Sequence, residues 1–516
     1  MLSRVLGLGR DMVYAWRFGA GDQMDAFNVA FRIPNLVRDL FAEGAMTAAF
    51  VPTFTRYLTV RGRADAWRLG NLVISTLILA TTLVVAGGVV FAGSITSAFA
   101  HEYAAVPGKL ELTTQLTRVM FPFLTLVAVA VACMGMLNSL RHFFVPALSP
   151  ALFNVGAIVG ALVFVPLMPA VGLHPTMGLA FGTLLGGLLQ AVVQWPALHR
   201  EGFRFRPMLD VRDPGVREIL VLMGPGTIGL AAVQINQFVN TVLATSQGTG
   251  AVSWLNYAFR LMYLPIGLFG VSIATAAMPT IAALAARGDR AGMRETVSSG
   301  LRMMLMLNVP ATVGLMALAT PIVSLIFERG SFTAADTPAT AAALMFYAPG
   351  LLGYSAVKIA SPTFYVLRDS RTPAAISGLS VLTNIVLNLT LVRVLGYRGL
   401  ALGTALSALL NACILLWLLR GRLGGIDGGR VGTALLKITV ASLAMAFAAV
   451  EAHDALRVAW PGLGLLHHAA QLLGAIVAGM AVLAISARLL RIDEFETAVV
   501  RVARHLAGRR HPPRAN

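Results

Sequence analysis

Two cysteines are all the chain has. Both, Cys133 and Cys413, fall inside apolar stretches, so a disulfide framework and a thiolate metal cluster are excluded and both read as packing residues. Charge is scarce as well, at 12% of residues against about 25% in soluble domains. Acids are the scarcer sign, with 23 Asp plus Glu against 40 Lys plus Arg, and no cluster of them has metal-ligand spacing. A cleavable signal is missing too, because Arg4 and Arg10 follow Met1 with no apolar core between them. The first span is therefore expected to be short at its start.

What is present is apolar length. Hydrophobic residues make up 57% of the 516. Runs such as Leu72 to Val90, Phe121 to Met136, Ala151 to Val165 and Ala469 to Ile485 approach or reach the ~20 residues that cross a bilayer as a helix. They recur along the whole chain and leave no room for a soluble domain. The net charge of +17 would suggest nucleic acid in a soluble protein, but its distribution argues otherwise. Alternate connections collect the arginines: Arg56, Arg61, Arg63 and Arg68; Arg141; Arg200, Arg204, Arg206, Arg212 and Arg217; Arg287, Arg290 and Arg294; Arg368 and Arg371; Arg420, Arg422 and Arg430. That is the positive-inside pattern, and it makes the charge a matter of topology, with no nucleic-acid partner. With Arg501, Arg504, Arg509, Arg510 and Arg514 in the tail, both termini are expected in the cytoplasm. The number of spans is then even, about fourteen, in an all-α polytopic membrane protein.

Three sequence blocks recur in order. Asn28-Val29-Ala30-Phe31-Arg32 returns as Asn256-Tyr257-Ala258-Phe259-Arg260, an offset of 256 − 28 = 228. Leu140-Arg141 with Pro146-Ala147 returns as Leu367-Arg368 with Pro373-Ala374, an offset of 227. Gly178-Leu179-Ala180 with Gly182-Thr183 returns as Gly399-Leu400-Ala401 with Gly403-Thr404, an offset of 221. A duplicated unit of about six spans predicts two parallel lobes related by an axis along the membrane normal, with a cavity between them. The expected divisions are 1–205 for the first lobe (spans 1–6), 206–425 for the second (spans 7–12), 426–490 for two added spans without a repeat partner, and 491–516 for a basic tail.

A polar stripe marks the second span. Asp25, Asn28, Arg32, Asn35, Asp39 and Glu43 follow one another at spacings of three or four, which puts them on one helical face. Arg38 flanks the stripe, and Pro34 removes a backbone donor within it. Ser253, Asn256, Arg260 and Tyr263 repeat the spacing. A charge facing lipid at the bilayer centre costs roughly 2.5 to 3.5 kcal/mol even on the lenient scale, so the stripe is expected to face protein or water. The competing reading is an ion pair, Arg32 with Asp25, that only fixes packing. Arg4, Arg10, Arg17, Arg32, Arg38 and Arg260 outnumber Asp11, Asp25, Asp39 and Glu43, so the interior should prefer an anion, and the planar guanidinium fork suits phosphate.

Other polar residues carry weaker signals. Asn384 and Asn388, one turn apart, could ligate a cation with Thr404 and Asn240, against the ordinary role of buried amides as bridges between helices. Lys358 is a lone intramembrane charge whose plain reading is snorkelling. His453, His467 and His468 lack metal-ligand spacing, and Gly424-Gly425 with Gly428-Gly429 reads as a linker rather than a phosphate loop.

Longer motifs carry a resemblance. Ser3-Arg4-Val5-Leu6-Gly7, Arg10-Asp11, Phe18-Gly19-Ala20-Gly21, Asp25-Ala26-Phe27, Pro34-Asn35-Leu36, Arg38 and Phe41-Ala42-Glu43-Gly44-Ala45 through Ala49-Phe50-Val51-Pro52 strongly resemble the MurJ (MviN) family, the lipid II flippases of bacterial cell-wall synthesis. The likeness continues through Asn256-Tyr257-Ala258, Arg260-Leu261, Leu264-Pro265, Gly267, Gly270, Phe364-Tyr365 and Thr372-Pro373. It implies a fourteen-span exporter of the multidrug/oligosaccharidyl-lipid/polysaccharide superfamily, in the bacterial cytoplasmic membrane, working by alternating access and breaking no bond. It also implies that Ser3, Arg4, Arg10, Asp25, Arg38 and Arg260 match the family's required cavity residues, the arginines placed for the substrate pyrophosphate. The two added spans would form a membrane-open groove for the polyprenyl tail. No cofactor is implied. Where some relatives resemble a sodium site built with acids, this chain has Asn240 and Asn388, so sodium and the membrane potential are equal candidates for coupling. A drug/cation antiporter of the same superfamily would need acids in the cavity, which the arginine excess opposes. A polyprenyl-phosphate transferase would need an acidic metal cluster, which the sequence lacks.

Overall fold

The computed structural model describes residues 2–39, 44–267, 271–462 and 464–496. Glu43, the Phe41-Ala42 pair, Gly270 and the tail arginines from Arg501 onward lie outside the described residues. Within them the chain is helical. The helices are α1 (Leu2–Phe18), α2 (Asp22–Arg38), α3 (Gly44–Arg56), α4 (Arg63–Val90), α5 (Ala92–Phe99), α6 (Lys109–Met120), α7 (Phe123–Ser139), α8 (Phe144–Val159), α9 (Met177–Val192) and α10 (Pro214–Thr245). There follow α11 (Ala251–Pro265), α12 (Val271–Ala286), α13 (Arg290–Ala317), α14 (Ala319–Phe327), α15 (Asp336–Tyr347), α16 (Gly350–Val366), α17 (Arg371–Leu395), α18 (Tyr397–Leu423), α19 (Gly428–Ala459) and α20 (Leu465–Leu489). Among the described residues nine helical segments are long and apolar enough to cross a membrane, or ten if α15 and α16, bent by 40°, make one span. The stripe-bearing α2 is 17 residues long and carries Asp22, Asp25, Arg32 and Arg38. Its charges lower its hydropathy.

The chain divides into two compact units, one running to Trp254 and taking in Phe327–Asp336, the other made of Leu255–Ile326 and Thr337 onward. This division differs from the seam of the sequence repeat near residue 205, because α10 packs on α3, with further contacts to α2, α4 and α5. The core of the first unit is aromatic, with Phe50, Phe54, Phe123 and Phe203 all buried. The core of the second runs through Met293, Leu301, Met304, Ile359, Phe364, Leu415 and Ile438, so that α19 lies against α13, and α20 packs along α19.

The duplication is visible in backbone detail. Arg141 and Arg368, one repeat apart, both adopt left-handed backbone, with φ of 63° and 58°. Each ends a helix in the same way: His142 N–H donates to the Leu137 carbonyl at 2.9 Å, and Asp369 N–H to the Phe364 carbonyl at 2.9 Å. That is the bond pattern of a Schellman turn, a position that usually takes glycine. Asp369 then caps the start of α17, accepting from the Thr372 N–H at 3.0 Å and its hydroxyl at 2.8 Å. These bonds hold its carboxyl below the usual carboxylate range.

In the first unit α8 and α9 meet backbone to backbone. A Cβ on Gly156 would lie 2.5 Å from Gly186 Cα, and one on Gly160 2.5 Å from Gly182 Cα. Glycine at four-residue spacing on both helices allows this approach, the usual device for packing helices where lipid removes any hydrophobic drive between them.

Candidate functional site

The most tightly built polar cluster lies in the first unit, where the start of α2 meets the start of α11. Asp25 is 0% exposed. One of its oxygens accepts from the Ser253 N–H at 3.0 Å and the Ser253 hydroxyl at 2.7 Å. The other accepts from the Gly250 N–H at 2.7 Å and from Lys109 Nζ at 3.3 Å. A carboxylate thus caps α11 from a distant helix, using donors that a helix N-terminus leaves unsatisfied and the positive end of its dipole. Gly250, at φ 90°, must be glycine, since a Cβ there would lie 2.5 Å from the Trp254 ring and 2.8 Å from the Ala20 carbonyl oxygen.

Lys109 completes the cluster from the first turn of α6. It is buried, bridges to Asp22 at 2.6 Å and sits 4.0 Å from the centroid of the Tyr103 ring. Asp22 also accepts from the Thr249 hydroxyl at 2.7 Å, and Asn28 donates to the Ser253 hydroxyl at 3.1 Å. Sequence reasoning found Asp25, Asn28 and Ser253 but missed Lys109, Asp22 and Thr249. The one available signal was that Lys109 is the sole lysine in the first 350 residues, and an isolated cation at the edge of an apolar run calls for a partner. Asp25 therefore pairs with Lys109, and the Arg32–Asp25 pair that the spacing allowed is not the one formed.

The arginines are placed as follows. On α1, Arg10 directs Nε and Nη2 to one oxygen of its neighbour Asp11, at 3.0 and 2.7 Å. Its guanidinium lies 5.7 Å from the Tyr14 ring centroid and 5.9 Å from that of Phe153. Arg38, at the end of α2, repeats the arrangement with Asp39 at 3.0 and 2.6 Å. Arg32 is half-buried on the same helix, Arg4 is exposed, and the half-buried Ser3 offers its backbone carbonyl to the Asn154 amide at 3.1 Å. All six of these expected site residues (Ser3, Arg4, Arg10, Asp25, Arg32 and Arg38) belong to the first unit, whereas Arg260, half-buried on α11, belongs to the second.

Three of the four amide and hydroxyl residues considered for a cation come together in the second unit. Asn388 donates to Asn384 Oδ1 at 3.1 Å, and Asn384 donates to the Thr404 hydroxyl at 3.4 Å. The chain of bonds joins α17 to α18, the bridging role that buried amides commonly play. Asn240 belongs to the first unit, on α10. No group of three or more His, Cys, Asp or Glu that could hold a metal occurs among the described residues.

The family model for the lipid II flippase MurJ matches residues 14–460. The chain belongs to the lipid II flippase MurJ family. A Vibrio cholerae relative described as a probable lipid II flippase MurJ is 37% identical over 425 residues, covering 80% of each chain. A solved lipid II flippase MurJ in an inward closed conformation superposes with a TM-score of 0.77 at 25% identity, covering 95% of this chain and 97% of that one. An inward-facing multidrug resistance MATE family transporter of the MOP superfamily shares the fold, with a TM-score of 0.68 at 16% identity over 82% of this chain and 94% of that one. This MurJ-family chain is thus an all-α, polytopic membrane protein.

Proposed function

We infer that this chain is a flippase that carries lipid II, the polyprenyl-pyrophosphate-linked cell-wall precursor, from the inner to the outer leaflet of the bacterial cytoplasmic membrane. The observation that carries the reading is the family match across residues 14–460; the arginine-rich faces of α1 and α2 support it. No bond is broken, so the chain works as a transporter rather than an enzyme. Fourteen spans, with both termini cytoplasmic, fit the positive-inside pattern, and the two lobes alternate access.

Ser3, Arg4, Arg10, Arg32, Arg38 and Arg260 form the substrate-binding set in this reading, and Asp25, fully buried, serves it by holding the start of α11 rather than by touching substrate. The forks of Arg10 and Arg38 each rest on a single oxygen of the adjacent Asp11 and Asp39. A pyrophosphate, whose tetrahedral phosphate groups each present more than one oxygen, can engage each fork through two oxygens at once. Sodium or the membrane potential acting on these charges supplies the energy. In cells depleted of their own flippase, the Arg260→Ala protein should insert at normal levels yet leave lipid II inaccessible from outside. Normal lipid II exposure in cells carrying that variant would overturn the assignment.

A further inference from the structure

Where α20 ends, the chain turns back onto the second unit. Arg491 takes left-handed backbone at φ 50°, and the Ile492 N–H donates to the Ala487 carbonyl at 3.0 Å, the bond pattern already met at Arg141 and Arg368. Lys437 of α19 donates to the Arg491 carbonyl at 3.3 Å. The turn buries Ile492 in the core that Leu301, Ile438 and Ala487 share, with Phe495 packed against it. Glu494 then meets α13, where Arg302 Nη1 donates to its carboxylate at 2.5 Å. The two side chains are 9% and 20% exposed, so the pair is largely withdrawn from water. Elsewhere α20 packs along α19, and near its start Leu472 joins Leu318 and Ala449 in a small apolar cluster. Apolar contact is non-directional and lets helices slide. A charge-assisted hydrogen bond fixes a geometry, so the pair decides where α20 ends against α13. It is also incomplete, because Arg302 Nε is buried without an acceptor, and an unmet donor costs free energy. A contact made through one arm of the guanidinium is easier to give up than a two-armed fork.

We propose that this turn is a clasp, in which Glu494 acts through Arg302 to hold α13, α19 and α20 as one body, and that transport requires it closed. The duplicated unit gives α20 no inherited packing partner, since the two added helices have no counterpart in the repeat. The clasp supplies that tie from beyond the helix itself. Released, α20 is free to turn about its long contact with α19, and the setting of the pair against α13 is lost. The transport half of the proposal rests on the flippase reading, whereas the clasp as a mechanical tie does not.

The test places spin labels on the full-length protein at Leu489→Cys and Ala291→Cys, both exposed positions, with the exposed Cys413 replaced by alanine and the buried Cys133 kept. The parent should give one narrow distance distribution between α20 and α13. Glu494→Ala should broaden it and also lower the melting midpoint, because Arg302 is left as an unpaired, mostly buried charge. Glu494→Ala combined with Arg302→Met separates the two effects: with no stranded charge it should melt like the parent, yet keep the broad distribution. Arg302→Lys, which retains one donor, should stay narrow. In cells depleted of their own flippase and matched for expression, the double variant should expose lipid II at least about fivefold more slowly than the parent, the lower end of typical coupling between sites, and Arg302→Lys at the parent rate. An unchanged distribution in the double variant overturns the clasp, and parent-rate exposure despite a broad distribution overturns its role in transport. A parent that exposes no lipid II tells against the flippase assignment instead, while the distances still decide the clasp.

Discussion

Asp25→Ala should lower the stability of the purified protein by about 3–5 kcal/mol, the range for breaking a buried pair and leaving one charge behind. The carboxylate is 0% exposed and accepts four hydrogen bonds, from Gly250, from Ser253 twice and from Lys109. Its removal strips two backbone donors of their acceptor and takes from Lys109 its fully buried partner. Lys109→Met should cost less, because the α11 donors still stabilise the carboxylate, whose charged form they favour, and Asp22 is half-exposed and can turn to water. The double variant should lose less than the sum of the two, since the residues are in contact. Thermal unfolding of the three variants in detergent checks the cycle; an Asp25→Ala protein that melts like the parent would show that the cap contributes nothing. Transport should fall with the cap, because Arg260 rides on the same helix two turns beyond Ser253.

Gly182→Val should also be strongly destabilising. The Cβ alone would lie 2.6 Å from Gly160 Cα and 3.1 Å from both Gly160 N and the Gly156 carbonyl oxygen, all of them backbone rather than the mobile end of a side chain. Relief requires α8 and α9 to move apart, and overpacking of this kind costs typically 1–3 kcal/mol and occasionally more. The upper end is expected here, because backbone must shift and the lost interhelical contact is the attraction that joins helices in lipid. Gly87→Ala is the control: nothing lies within 4 Å of its Cβ position, and alanine in a helix is favoured by roughly 0.5–1 kcal/mol over glycine. Expression and melting of the pair should separate sharply; equal behaviour would mean that the helix contact tolerates separation.

Much of the architecture was legible in the letters. The helical class follows from apolar run length, and the duplication shows in blocks that return as the same helix-end geometry at Arg141 and Arg368. The glycines of α9 were part of a repeat block before they were seen to meet those of α8. The cap on α11 was only half legible. Asp25 and Ser253 sit in matched positions of the two repeats, but Lys109 comes from 84 residues along the chain, and no periodicity reports a partner at that distance. Pairing of Arg10 with Asp11, and of Arg38 with Asp39, was written in adjacent letters. By spacing alone these acids face a common space with the arginines, whereas side-chain geometry lets each arginine fold back on its neighbour. The packing of α10 on α3 was beyond sequence reasoning, since the repeat assigns α10 to the other lobe by ancestry and contacts ignore ancestry.

The boundary between the compact units is crossed three times, after Trp254, before Phe327 and after Asp336. Ser331 N–H donates to the Trp16 carbonyl at 2.9 Å, and the Trp254 indole donates to Asp336 at 3.2 Å. A gene cut at the duplication seam would therefore divide the first unit alone: the second fragment would hold all of its own unit and also carry away α10 and the stretch of chain that ties off the end of α1. Complementation by separately translated halves should need the cut moved to between Gln247 and Gly250, and even then the first unit becomes whole only when the fragments assemble.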